Sequence, residues 1–316
     1  MLRLLLTRRF PATVVAAARA RFDVVEHDGK TPLSPQDLRA ALRDHDLILC
    51  SHGDAFQADV FADVPQPRAR LLANFGAGYN HIDVAAARAA GVSVTNTSGA
   101  VTDATADIAL ALILMTARRL GEGERLLRAG KWAGWGPVDM LGTHVTGKRL
   151  GVIGLGRIGK AIARRCHFGF GMEVVFHNRS RIADPGLPAQ QVPLAGAMAA
   201  DFVVVAVPGS ASTHHLINAD ALAQMRPEGI FINVSRGDVV DEAALIAALQ
   251  AGRIAGAGLD VYEFEPMVPP ALIAMENVTL LPHLGTACLE VREAMGRMAL
   301  DNLIACAEGR PLLTPV

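Results

Sequence analysis

Six residues have types and spacings that suit chemistry. Gly154, Gly156 and Gly159 stand as G-x-G-x-x-G between an apolar run at 150–153 and a stretch whose Ile158, Ile162 and Ala163 share one helical face. A strand, a tight glycine turn and a helix N-terminus, in that order, make a site for a dinucleotide pyrophosphate. The first glycine allows the turn, the second lets backbone approach the phosphates, and the third lets helix pack on strand. The N–H groups and positive dipole end of that helix would face the anion. The other three are Arg236 in NVSRG, Glu265 in GLDVYEFEP and His283 in LPHLGT, each at the end of an apolar run or in the loop after it. Singly they read as a surface arginine, a solvated acid and a loop histidine. Around one dinucleotide they become a set able to bind an anion and move a proton.

The run after the glycine turn bears on the cofactor. A site for NAD usually places an acid about 20 residues beyond the glycines, on the ribose 2′-hydroxyl. Here the strand expected at 173–177 leads into Asn178-Arg179-Ser180-Arg181, and the first carboxylate is Asp184. An acid would repel a 2′-phosphate, whereas Arg179 and Arg181 attract one and Ser180 adds a hydroxyl. NADP(H) is therefore the preferred cofactor, with NAD(H) possible.

Hydrophobic patterning gives the elements that must position these groups. Residues 1–98 alternate apolar runs at 2–6, 24–25, 47–50, 71–74 and 92–94 with helical patterns at 12–21, 35–43 and 81–90. This alternation implies a parallel sheet with helices on its faces and ligands beyond the carboxyl ends of the strands. Two such ends are Ser51-His52-Gly53-Asp54 and Phe75-Gly76-Ala77-Gly78-Tyr79. The second can wrap a small carboxylate with its N–H groups; His52 reads as a loop histidine. Thr102-Asp103 is expected to cap a helix over 104–120 with Ile108, Ala111, Leu112 and Met115 as its stripe. A second helix over 122–129 ends at Gly130, and 131–137 holds both Trp132 and Trp135, as an interface or pocket wall would. Beyond the glycine turn, strands are expected at 173–177, 202–207, 230–234, 255–260 and 278–281. Helices are expected at 242–250 and, returning to the first half, at 287–307.

Composition bounds the rest. The 316 residues suffice for two domains, and 51% hydrophobic against 19% charged residues supports a large core. A net charge of −1 gives no sign of a nucleic-acid partner. Cys50, Cys166, Cys288 and Cys306 are scattered with no C-x-x-C, which argues against a disulfide framework or a metal site and fits a reducing cytoplasm. The basic N-terminus has no acid before Asp23, as a transit peptide would. A strand followed by a helix starting near Pro11 explains it better. Charges, Gly and Pro interrupt every apolar run, so no membrane span is expected.

Longer motifs carry a resemblance. FGAGYNHID at 75–83, GAVTDATAD at 99–107, GLGRIG at 154–159, NVSRGDVVDEAAL at 233–245, GLDVYEFEP at 258–266 and PHLGTACLEVREAM at 282–295 resemble the D-isomer-specific 2-hydroxyacid dehydrogenase family, which includes glyoxylate/hydroxypyruvate reductases. The resemblance implies an α/β fold of two doubly wound parallel-sheet domains. A Rossmann cofactor domain would span 99–284, and a flavodoxin-like substrate domain would join 1–98 to 285–316. It implies catalysis by Arg236, Glu265 and His283, reduction of a small 2-oxo acid to a D-2-hydroxy acid, and a homodimer built on 104–140. His283 would be the general acid, Glu265 would favour its protonated form, and Arg236 would clamp the substrate carboxylate. Ser51, Ala77, Gly78 and a partner's Trp135 would add substrate contacts. Arg157 and Ile158 would meet the pyrophosphate, with Asn178 and Thr213 also against the cofactor. Thr102, Val207, Pro208, Val234, Asp260 and Gly285 would line its nicotinamide side. Departures are Asn80, where many members have Asp, and Cys288, where Thr is common. Cys288 lies near enough to the site to predict oxidation sensitivity.

Two other functions fit parts of the pattern. Formate or phosphite oxidation uses the same fold, but formate enzymes of the family pair the histidine with Gln, and Glu265 stands here instead. A dinucleotide-sensing corepressor would need an added partner-binding extension, and none is evident.

Overall fold

Most strands in the chain are short apolar runs buried on both faces, as parallel sheets covered by helices require. The computed structural model describes residues 1–29 and 31–316. They divide into two units, Met1–Val101 with Thr286–Val316, and Thr102–Gly285.

The first unit runs β1 (Arg3–Leu6), α1 (Ala12–Arg19), β2 (Asp23–Glu26), α2 (Pro35–Asp44), β3 (Leu47–Ser51), α3 (Ala58–Ala62), β4 (Leu71–Phe75), α4 (Val84–Ala89) and β5 (Ser93–Thr95). All pairings within its sheet are parallel and the order is β2-β1-β3-β4-β5, a flavodoxin-like winding. Alternation sends Leu4, Leu6, Leu47, Leu49 and Leu71 to one face and Leu5, Ile48, Cys50 and Leu72 to the other. Ser34 caps α2 by accepting the Asp37 N–H at 3.2 Å, with Pro35 in the first turn.

The second unit runs α5 (Thr102–Ala117), α6 (Leu120–Arg128), β6 (Arg149–Ile153), α7 (Arg157–Phe170), β7 (Glu173–His177), β8 (Ala189–Gln191), α8 (Leu194–Met198), β9 (Phe202–Val205), α9 (Ala219–Leu222), β10 (Ile230–Asn233), α10 (Glu242–Gln250), β11 (Gly256–Leu259), α11 (Pro270–Ile273) and β12 (Val278–Leu280). Its seven strands lie in the order β12-β11-β10-β9-β6-β7-β8, a doubly wound Rossmann sheet extended by one strand. Alpha-helix α12 (Leu289–Ala307) belongs to the first unit, where Ala299, Leu300 and Leu303 cover the Leu4/Leu6 face. The segment after it turns back along β5: Thr95 and Pro315 form an antiparallel bridge, and the Val316 N–H donates to Val94 O at 3.1 Å.

Three sequence expectations are corrected. Thr102 is the first residue of α5 rather than its cap, and α5 stops at Ala117 instead of reaching 120. Arg119 interrupts the chain with φ +53°, its guanidinium on Glu122 at 2.7 and 2.8 Å, and α6 starts at Leu120. The buried face of α5 centres on Ala106, Ala109, Leu112 and Ile113, not on Ile108 and Met115. Apolar residues surround this helix, so its pattern holds too little contrast to point a face. The short elements α3, β8, α8, α9 and α11 carry no pattern long enough to read.

Candidate active site

Beta-strand β6 ends where Gly154 takes φ +96°, a conformation that favours glycine. A β-carbon at Gly154 would meet Val207 Cγ1 at 2.7 Å, so the loop after β9 lies against this turn. Beta-strands β7 and β9 flank β6, and the winding reverses between β6 and β9, where doubly wound sheets bind ligands. The Lys160 N–H donates to Gly156 O at 2.9 Å, which leaves the N–H groups of the preceding turn outside the helical ladder of α7. A β-carbon on Gly159 would sit 2.0 Å from Gly154 O, whereas one on Gly156 would meet nothing within 4 Å. The turn is closed where helix meets strand and open where backbone faces the ligand. These residues fit a dinucleotide pyrophosphate.

Beta-strands β10, β11 and β12 are neighbours, and their carboxyl ends lead into Arg236, Glu265 and His283. Buried Asn233 folds the turn before Arg236: its Oδ1 accepts the Ser235 N–H at 3.0 Å and the Ser235 hydroxyl at 2.8 Å, and its Nδ2 donates to Arg236 O at 3.0 Å. The Arg236 guanidinium donates from Nη1 to Ser235 O at 2.8 Å, while its buried Nε has no hydrogen-bond partner. Burial pushes its pKa down, and the charges of Glu265 and Asp238 oppose that shift. A half-buried cation with a buried donor to spare is suited to an anionic ligand.

Glu265 joins the other two loops. Its Oε1 accepts the Tyr262 N–H at 3.1 Å and its Oε2 lies 2.8 Å from His283 Nδ1. His283 takes φ +55°, and its own N–H donates to Asp260 O at 2.9 Å. The Asp260 carboxylate accepts the N–H groups of Leu284 and Gly285 at 2.6 and 2.8 Å, and Thr105 Oγ1 donates to Gly285 O at 3.3 Å. Burial pushes the Asp260 carboxyl upward. Asp260 is thus an anchor for the histidine loop.

Residues 110–285 match the family described as D-isomer-specific 2-hydroxyacid dehydrogenase, NAD-binding domain. A glyoxylate reductase of Thermococcus onnurineus is 40% identical over 314 residues, covering 97% of this chain and 93% of its own. A glyoxylate/hydroxypyruvate reductase B of Serratia proteamaculans is 39% identical over 310 residues, with 97% and 94% covered. An NADPH-dependent glyoxylate/hydroxypyruvate reductase from Sinorhizobium meliloti, solved with NADP and malonate, superposes with a TM-score of 0.89 at 40% identity over 100% of this chain and 96% of that one. The chain belongs to the D-isomer-specific 2-hydroxyacid dehydrogenase family. It is an NAD(P)-dependent enzyme, and its cofactor is a nicotinamide dinucleotide.

In this dehydrogenase the loop beyond β7 holds Asn178, Arg179, Ser180 and Arg181. Both arginines are exposed, and among the described residues neither has an acidic partner. Thr213 closes the loop after Val207 and Pro208: its Oγ1 lies 2.8 Å from Pro208 O and accepts the Ser210 N–H at 2.9 Å. Arg157 and Ile158 open α7, Thr102 opens α5, and Val234 is buried just beyond β10. Trp132 and Trp135 are exposed in an irregular segment, Trp135 to 84%.

In the first unit, Ser51 ends β3, and its N–H donates to the fully buried Asp54 carboxylate at 3.1 Å. Ala77 and Gly78 follow β4. Asn74 Nδ2 donates to Gly76 O at 3.1 Å and Gly78 O at 2.9 Å, and Asn96 Nδ2 donates to Ala77 O at 3.0 Å. The C=O and N–H of a trans peptide point oppositely, so carbonyls tied back at Gly76 and Ala77 turn the Ala77 and Gly78 N–H groups away from these asparagines. Sequence reasoning missed Asn74, Asn96 and Gln191. Each acts on backbone of a loop, and only a polar residue within or beside an apolar run announced any of them.

Proposed function

We propose that this dehydrogenase reduces small 2-oxo acids, glyoxylate and hydroxypyruvate among them, to D-2-hydroxy acids and prefers NADP(H) to NAD(H). The observation that carries the proposal is the His283–Glu265 contact of 2.8 Å, formed on neighbouring strand ends with the half-buried Arg236 cation. The named reductases at 39–40% identity support the substrate class. When bound, the dihydronicotinamide supplies a hydride to the carbonyl carbon. Arg236 clamps the substrate carboxylate and polarises the carbonyl. Glu265 engages Nδ1 of His283, so proton donation to the carbonyl oxygen falls to Nε2. Ser51 and the N–H groups of Ala77 and Gly78 are further candidate substrate contacts. Arg179, Ser180 and Arg181 take the 2′-phosphate. Asn178, Arg157, Ile158, Thr102, Val207, Pro208, Thr213, Val234, Asp260 and Gly285 are the remaining candidate cofactor contacts.

Absorbance-monitored oxidation of NADPH and NADH with hydroxypyruvate and with glyoxylate tests the proposal. Fast turnover with NADPH and weak turnover with NADH is expected. Preference for NADH overturns the cofactor choice, and no turnover with either overturns the substrate class. Arg179→Ala is expected to lower the NADPH/NADH selectivity, and unchanged selectivity removes that arginine from the role.

Exposed Leu120, Leu127, Trp132, Trp135 and Val138 support a homodimer through 104–140. Sedimentation as a monomer at micromolar concentration overturns it. Among the described residues no helix is long and apolar enough to cross a membrane. Four free, scattered cysteines fit a reducing cytoplasm as the proposed compartment.

A further inference from the structure

We propose that Gln191 is the positioning residue for coenzyme selectivity, folding the 178–182 loop in advance so that Arg179 and Arg181 meet a ribose 2′-phosphate. This rests on the assignment of those arginines to the phosphate. Gln191 is the last residue of β8, the strand at the edge of the seven-stranded sheet, and it stands opposite Phe176 of β7.

Its carboxamide commits every polar atom to the loop. Oε1 accepts the Ile182 N–H at 3.0 Å, and Nε2 donates to Asn178 O at 3.1 Å and to Ser180 O at 3.0 Å. A backbone N–H only donates and a carbonyl only accepts, so the amide has a single orientation here. Asn178 closes the turn from within, donating from Nδ2 to Ser180 O at 3.1 Å and to Ser180 Oγ at 3.2 Å. The Ser180 hydroxyl proton is then left to donate to a phosphate oxygen.

The partners of Gln191 are all backbone atoms. The loop path is therefore independent of which side chains stand at 179 and 181: β8 sets the position and the loop residues set the charge. Holding two long cations on a phosphate dianion requires ordering side chains and loop together. A loop ordered beforehand lowers the backbone share of that cost. NADH makes no such contact, so the benefit falls on the coenzyme that carries the phosphate.

Titration calorimetry of NADPH and of NADH tests this with wild type, Gln191→Met, Gln191→Glu and the double variant Arg179→Ala/Arg181→Ala. Gln191→Met keeps the length and removes all three bonds. It should weaken NADPH by about fivefold or more, on the scale of one or two lost hydrogen bonds, change NADH by less than about twofold, and leave kcat at saturating NADPH unchanged. Gln191→Glu sets a carboxylate oxygen against two carbonyls and should weaken NADPH at least as much. NADH affinity reports that each variant is folded. Equal weakening of both coenzymes, or none, overturns the role of Gln191. If the double arginine variant keeps the wild-type NADPH/NADH ratio, the phosphate assignment fails and this inference with it. If that variant loses selectivity and Gln191→Met keeps it, the positioning role alone fails.

Discussion

In the proposed mechanism His283 delivers a proton in one direction, because its other ring nitrogen is committed to Glu265. That commitment depends on the backbone beneath it, where Asp260 holds the N–H groups of Leu284 and Gly285. His283→Ala is expected to lower kcat by at least about 100-fold, the low end for acid–base catalysis; a near-wild-type rate in a steady-state assay would remove it from the role. Glu265→Gln should lower kcat with little change in cofactor affinity, since no glycine-turn group is touched. Thiols divide by burial. The Cys166 thiol is pushed up to about 12 and the fully buried Cys50 is also raised, whereas Cys288 is exposed. A thiol reagent at neutral pH should label Cys288 in the native protein and reach Cys50 and Cys166 only on unfolding, as read by mass spectrometry. At this scale, type and spacing pointed to Arg236, Glu265, His283 and the glycines, which the structure sets at neighbouring strand ends and at the turn between β6 and α7. They did not reveal Asn74, Asn96 or Gln191, because an amide folding a loop has no partner type of its own and its targets are backbone. The positive φ of His283 had no signal in its residue type.

The junction of β6 and α7 leaves no room for a side chain at Gly159. Gly159→Ala forces backbone apart, at about 1–3 kcal/mol for overpacking. It should lower the melting temperature and weaken both NADPH and NADH, measured by calorimetry; unchanged affinity for both would separate this contact from cofactor binding. Legibility of elements followed contrast. Beta-strands β3, β4, β6, β7, β9 and β10 are apolar runs bounded by polar or glycine residues and could be placed within a residue or two. Helix α5 could be found but not oriented, because alanine, leucine and isoleucine surround it. Beta-strand β8, read as Ala-Gln-Gln, is polar and three residues long, and only its pairing with β7 makes it a strand.

Whole-molecule stability should answer to the dinucleotide. A ligand at 100 times its Kd adds about 2.7 kcal/mol to the state that binds it. For a unit the size of Thr102–Gly285 that corresponds to a rise of about 5 °C or more in melting temperature. Thermal denaturation with and without NADPH measures it, and no rise would contradict tight binding of NADPH. The alternation of strand and helix implied parallel sheets and the resemblance implied their winding, yet the sequence could not show how each unit closes its margins. In the first unit, β5 borders the sheet, and the segment ending at Val316 lies along it with a bridge at Thr95–Pro315 and a bond to Val94 O. Asn302 pins that segment, its Oδ1 accepting the N–H groups of Leu313 and Thr314 at 2.9 and 3.1 Å. At the opposite margin, β2 carries an exposed Asp23, and Glu26 there is ion-paired with Arg19. One border is thus already paired and the other is lined with charged side chains that a strand from another molecule would have to desolvate, so neither is a ready template for the start of an aggregate.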